Sequence, residues 1–198
     1  MIERDYLTIV SGLPRSGTSM MIEMISQGGI PALTDDQRPP DIDNPRGYYE
    51  FQPVKRTRED PGWIPGAIGK VVKMVHLLLL DLPLSGRYRV VLMRRNLLEV
   101  VRSQNVMLER LGKSSQDLPQ DRLIEVYGSQ MEKVNDHMRS NPHRFQFMEA
   151  DYGELIRDPC PGVREVSEFL GGLDVDRMRD VVEPALYRTR VERGENRL

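Results

Sequence analysis

Cysteine is nearly missing from this 198-residue chain. Cys160 stands alone, which rules out an internal disulfide and any cysteine-rich zinc site and suits a reducing compartment. Packing must hold the fold unaided. Long apolar runs are missing too: no stretch approaches the roughly eighteen residues that a spanning helix needs, and Met1-Ile2-Glu3-Arg4-Asp5 leads into a strand pattern without an apolar leader core. The expectation is a cytoplasmic protein with no membrane span. Nor is there an excess of one charge. The 28 Lys and Arg against 30 Asp and Glu leave a formal −2, which argues against a nucleic-acid binder working by broad electrostatics and makes any basic site local. His76, His137 and His143 lie far apart without ligand spacing, so no metal constellation is expected. Internal repeats and low-complexity tracts are absent as well.

The rest of the composition, 39% hydrophobic and 29% charged, is that of an ordinary globular chain long enough to bury a real core. Residues 1–198 are expected to form a single domain, with 34–69 as a substrate or lid loop and 184–198 as a tail. Near the start, the apolar run Tyr6-Leu7-Thr8-Ile9-Val10 is followed by Ser11-Gly12-Leu13-Pro14-Arg15-Ser16-Gly17-Thr18-Ser19 and the apolar-striped Met20-Met21-Ile22-Glu23-Met24-Ile25. This reads as strand, glycine-bounded loop and helix, a sequence of elements that builds an anion site from loop amides and a helix N-terminus. The spacing Gly12-x4-Gly17-Thr18-Ser19 is that of a Walker loop, with Thr18 where a nucleoside-triphosphate enzyme keeps its lysine. The loop's cation is instead Arg15, whose planar fork would meet a nearer bridging oxygen.

A second apolar run, Tyr88-Arg89-Val90-Val91-Leu92-Met93, ends in Arg94-Arg95-Asn96 and passes into a helical stripe of Leu97, Leu98, Val100 and Val101. Asn96 is a good N-cap. In a central strand, the Arg95 end faces the same crevice as the first loop. The expected fold is therefore α/β: a P-loop-type domain with a central, mostly parallel β-sheet flanked by helices.

Leu13-Pro14-Arg15-Ser16-Gly17-Thr18-Ser19 resembles the 5′-phosphosulfate loop of the sulfotransferases that use 3′-phosphoadenosine 5′-phosphosulfate (PAPS). Its arginine is most like the protein-tyrosine and bacterial branches. Arg95 followed eight positions later by Ser103 resembles the 3′-phosphate signature of the same superfamily, with leucine replacing the proline or alanine that often follows Asn96. The resemblance covers about residues 7–27, 70–104 and 145–171, and it implies PAPS as co-substrate, held by Arg15, Ser16, Gly17, Thr18, Ser19, Arg95 and Ser103. Tyr152, seven residues before Pro159, matches a tyrosine near the nucleotide. Lys73, near the end of the strand pattern Lys70 to Val75, matches a lysine that orients the transferred group, with Lys70 as fallback. The cytosolic enzymes carry a catalytic histidine two residues after that lysine. Here that position is Val75, and His76 falls at an odd offset, which on a strand points to the other face.

Asn44-Pro45-Arg46-Gly47-Tyr48-Tyr49-Glu50 is similar to stretches in bacterial sulfotransferase-like proteins, and its tyrosines are a plausible acceptor-site wall. Trp63 is read either as an adenine cover or as a packing anchor. Arg188 and Arg190 stand by position where the family has a late Arg-Lys-Gly segment, a tripeptide this chain lacks. The transferred sulfuryl carries one negative charge, so Arg15 and Lys73 can stabilise the departing phosphate with no metal required. The base that takes the acceptor proton is Glu50 or His76. The acceptor itself, a small molecule, carbohydrate or lipid, is left open. Two other readings stand beside this one: a non-catalytic nucleotide module, and a magnesium-dependent P-loop kinase in which Asp81, after Val75-His76-Leu77-Leu78-Leu79-Leu80, holds the metal.

Overall fold

The computed structural model describes residues 4–186, apart from 36, 38, 42, 43, 45 and 113–118. Arg188 and Arg190 lie outside the described residues. The strands are β1 (Leu7–Gly12), β2 (Val71–Val75), β3 (Tyr88–Arg94) and β4 (Phe145–Asp151). The helices are α1 (Thr18–Gln27), α2 (Leu97–Arg110), α3 (Gln120–Arg139), α4 (Tyr152–Arg157), α5 (Pro159–Phe169) and α6 (Val175–Asp180). The four strands pair in the order β2-β1-β3-β4, all parallel. Gly12 is level with Val75 on one side and Met93 on the other. Because β1 has β2 on one flank and β3 on the other, the chain changes direction across it, and the crevice beyond its C-terminal end is where such sheets bind ligands.

Both faces of the sheet are covered, which is why its strands read as nearly continuous apolar runs. Leu7, Ile9, Val72, Met74, Val90 and Leu92 point to the side of α2 and α3, where Val100, Met131, Val134 and Met138 meet them. Val10, Val71, Val91 and Met93 point to the opposite side, onto Met21, Ile22 and Ile25 of α1 and Val163 and Val166 of α5. This alternation decides which face each site residue occupies.

Ile30-Pro31-Ala32-Leu33 has the apolar content of an edge strand but forms only one bridge, Ala32 to Val71. Pro31 has no N–H to extend the ladder. After β2 the chain tightens into a 3-10 turn over His76–Asp81, so the apolar run of leucines does not prolong the strand. The described residues include no helix long and apolar enough to cross a membrane.

Candidate active site

The loop after β1 is closed by its own residues. Ser16 donates from its amide to the Leu13 carbonyl at 3.2 Å and from Oγ to the same oxygen at 2.7 Å. Arg15 sits at φ 70°, a left-handed conformation that costs a residue with a side chain about 1–2 kcal/mol, and such strain gathers at binding sites. Gly17, at φ 92°, is the N-cap of α1 and contributes no side chain. The first-turn amides of α1 therefore remain for an incoming anion.

The second cationic motif interlocks with the first. Arg94, at the end of β3 on the α2 and α3 side of the sheet, reaches Glu149 at 3.8 Å and stays well exposed. Arg95 turns inward: Nε donates to Glu99 Oε2 at 3.0 Å, Nη1 donates to the Arg15 carbonyl at 2.8 Å, and the guanidinium lies 4.8 Å from the centre of the Tyr152 ring. Arg15 Nε in turn donates to Ser103 Oγ at 3.1 Å. Asn96 caps α2 by accepting from the amides of Leu98 and Glu99, which sets the helix phase that brings Ser103 round to Arg15. The two cationic motifs thus share one wall.

Lys73 points to the α1 side of the sheet, as Val71 does. Its Nζ donates to Ser19 Oγ at 3.3 Å and to the Tyr48 carbonyl. Lys70 precedes β2, at the far end of that strand. Over Lys73 runs the segment from Arg46 to Glu50, which together with Asn44 is strapped down at several points. Asn44 Nδ2 donates to Ser19 Oγ at 2.9 Å, Tyr48 donates its hydroxyl to Asp41, and Arg46 Nη1 donates to the Val181 carbonyl at 2.7 Å with Glu23 and Glu183 alongside. Glu50 pairs with the exposed Lys55 at 3.2 Å.

Arg15, Gly17, Thr18, Ser19, Glu50, Lys73, Arg95, Ser103 and Tyr152 all line one cavity of about 370 Å³, within the usual size range of small-molecule sites. Ser16 is buried beneath the loop. His76 is not in the lining. Its place one residue past β2 turns the imidazole toward α3, where it is buried and hydrogen-bonded to Gln130 at 2.9 Å. Asp81 ends the 3-10 turn outside the lining, and Trp63 packs edge-on against Phe51 and donates to Thr57. Packing accounts for Trp63, and neither residue lines the cavity. Glu99 and Asn44 were not among the predicted site residues. The four-residue step from Arg95 to Glu99 at a helix start is the available signal for the first; for the second it is its place at the head of the Asn44-to-Glu50 stretch.

Burial holds the His76 imidazole below its ordinary 6.5, with the Gln130 hydrogen bond opposing. A folded-state pKa under the unfolded one means that the unfolded chain binds the proton more readily, so His76 costs no stability above pH 6.5 and a growing amount as pH falls below it. Thermal melts from pH 8 to pH 5 should therefore show a loss of stability on the acid side that is smaller in H76Q than in the parent. An equal loss in both would mean that the imidazole accepts its proton where it sits.

Residues 5–189 match the family model described as Sulfotransferase domain. Among solved structures the chain is similar to the sulfotransferase domain from the curacin biosynthetic pathway, at 13% identity and a TM-score of 0.56 over 93% of this chain and 83% of that one. It is also similar to a sulfotransferase from Alicyclobacillus acidocaldarius, at 18% identity and a TM-score of 0.51 over 91% and 87%. At these identities the likeness speaks for the fold. Among curated proteins none matches the chain.

Proposed function

The chain belongs to the sulfotransferase domain family, and from that premise we propose that it moves a sulfuryl group from PAPS to an acceptor hydroxyl or amine. The observation that carries the donor is the shared wall: Arg95 on the Arg15 carbonyl and Arg15 on Ser103 Oγ. A nucleotide with anionic groups on two ribose positions needs two cationic grips in one cavity, whereas a nucleoside triphosphate needs one. Arg95 and Ser103 would hold the 3′-phosphate, Tyr152 would lie beside the nucleotide, and Arg15 with the amides of Ser16 to Ser19 would hold the 5′-phosphosulfate. Where a lysine would serve ATP, Thr18 stands.

In the transfer the acceptor oxygen or nitrogen forms a bond to sulfur while the bond from sulfur to the bridging phosphate oxygen breaks, and the electron pair leaves with 3′,5′-ADP. Lys73 and Arg15 offset the charge that develops on that leaving oxygen. Glu50 takes the acceptor proton. Of the carboxylate and imidazole candidates it is the one that lines the cavity with Lys73, and one of its contacts is the solvent-exposed ammonium of Lys55.

Calorimetric titration tests the donor: 3′,5′-ADP should bind without metal and in preference to ATP with or without magnesium. Preference for magnesium-ATP would return the kinase reading. Transfer of sulfur-35 from PAPS tests turnover, and silence across varied acceptors with 3′,5′-ADP binding intact would leave a nucleotide-binding module. Loss of a positioned base lowers rates by roughly 10²- to 10⁴-fold. E50Q should fall in that range while binding 3′,5′-ADP as the parent does, and full turnover in E50Q would move the base elsewhere.

A further inference from the structure

The cavity has a second character besides its cations. Met20 from α1, Met74 and Val75 from the end of β2, and Val106 and Met107 from α2 line it together with the phosphate loop. Val75 is 46% exposed and Val106 36%, which puts them among the few large apolar side chains left open in the described residues. Core packing does not account for them. The polar groups on the β2 side of the cavity are meanwhile already engaged: Asn44 with Ser19 and the Gly47 carbonyl, Lys73 with Ser19 and the Tyr48 carbonyl, Glu50 with Lys55.

We propose that the acceptor is an alcohol carried on an apolar carbon framework, its hydroxyl reaching Lys73 and Glu50 while the framework lies on Val75, Val106 and the methionines. A sugar would turn several hydroxyls toward valine and methionine, and each buried hydroxyl left without a partner lowers affinity by about tenfold. An alkyl or aryl framework gains from the same wall, and the unbranched thioethers of the half-buried Met20 and Met107 adapt to its shape. This inference rests on the sulfuryl-transfer reading for its hydroxyl and on the wall alone for its framework.

The test is a series of straight-chain alcohols from 1-propanol to 1-octanol set against glucose, with PAPS as donor. kcat/KM should rise by about three- to fourfold per added methylene until the wall is covered, and glucose should be the poorest acceptor. V75N and V106N should flatten the rise. In parallel, methionine methyl resonances are followed by carbon-13 NMR without any donor, with Met20 and Met107 assigned from M20L and M107L. Both methyls should shift with 1-octanol and stay still with glucose. A flat alcohol series, glucose turned over as well as octanol, or methyls unmoved by octanol overturns the proposal. Failure of 3′,5′-ADP to bind would instead remove the donor reading, and the methyl shifts would still decide the acceptor class.

Discussion

An Arg95→Ala variant should lose roughly 10- to 100-fold in affinity for 3′,5′-ADP, from about 1.5–3 kcal/mol for hydrogen bonds to a charged group, and should unfold well below the parent temperature. The two losses have different causes. Arg95 and Glu99 form an ion pair whose side chains are only 7% and 5% exposed, and stripping one member from a buried pair costs about 3–5 kcal/mol, because the other charge was desolvated on its account. That would lower Tm by roughly 6–20 °C in a domain of this size. A double variant, R95M with E99L, separates the effects. Replacing both charges with apolar groups of similar bulk is often neutral for stability, so its melting temperature should return toward the parent while nucleotide affinity stays low. If the double variant bound 3′,5′-ADP as tightly as the parent, Arg95 would be a structural residue and the 3′-phosphate assignment would fall.

The second large effect is expected at Gly17. An alanine there would carry its methyl 2.3 Å from Cδ2 of Tyr152 and 2.9 Å from Cε2, at a φ of 92°. Tyr152 has little room to retreat, being buried and faced by the Arg95 guanidinium. Left-handed strain of about 1–2 kcal/mol then adds to about 1–3 kcal/mol for overpacking, and the displaced loop would carry Arg15 and the α1 amides away from the anion. G17A should therefore lose both stability and nucleotide binding. Gly29 provides the comparison. Its φ is 116° with no atom within 4 Å of an added Cβ, so G29A measures backbone strain alone. The excess loss in G17A over G29A reports the clash with Tyr152, and it should shrink when Tyr152 is also cut to alanine. An excess of zero would mean that the ring moves aside freely, which its contact with Arg95 argues against.

Much of this architecture was legible along the chain because it is local. The glycine-bounded loop is contiguous, its glycines at 12 and 17 occupy backbone angles that other residues resist, and the apolar periods on either side give a strand and a helix whatever the rest of the chain does. The cap at Asn96 is local too. So is the interval from Arg95 to Ser103, since a helix phase follows from counting residues. Ile30 to Leu33 stops at one bridge because, at Pro31, local apolar content and the lack of a donor conflict.

Amino-acid order alone therefore determined the presence of two cationic motifs, the helices and strands that carry them, and the fact that Lys73 and His76 cannot share a strand face. Tertiary structure decided what those motifs do to each other. Arg15 and Ser103 are 88 residues apart, and nothing in their spacing says that one donates to the other. That contact exists because parallel pairing sets β3 beside β1 with Met93 level with Gly12. The same register seats Lys73 under the Arg46 to Glu50 strap, and the 3-10 turn after β2 sends His76 to the α3 side. Side-chain direction within an element follows from its period, but which elements become neighbours follows from burying both faces of one sheet.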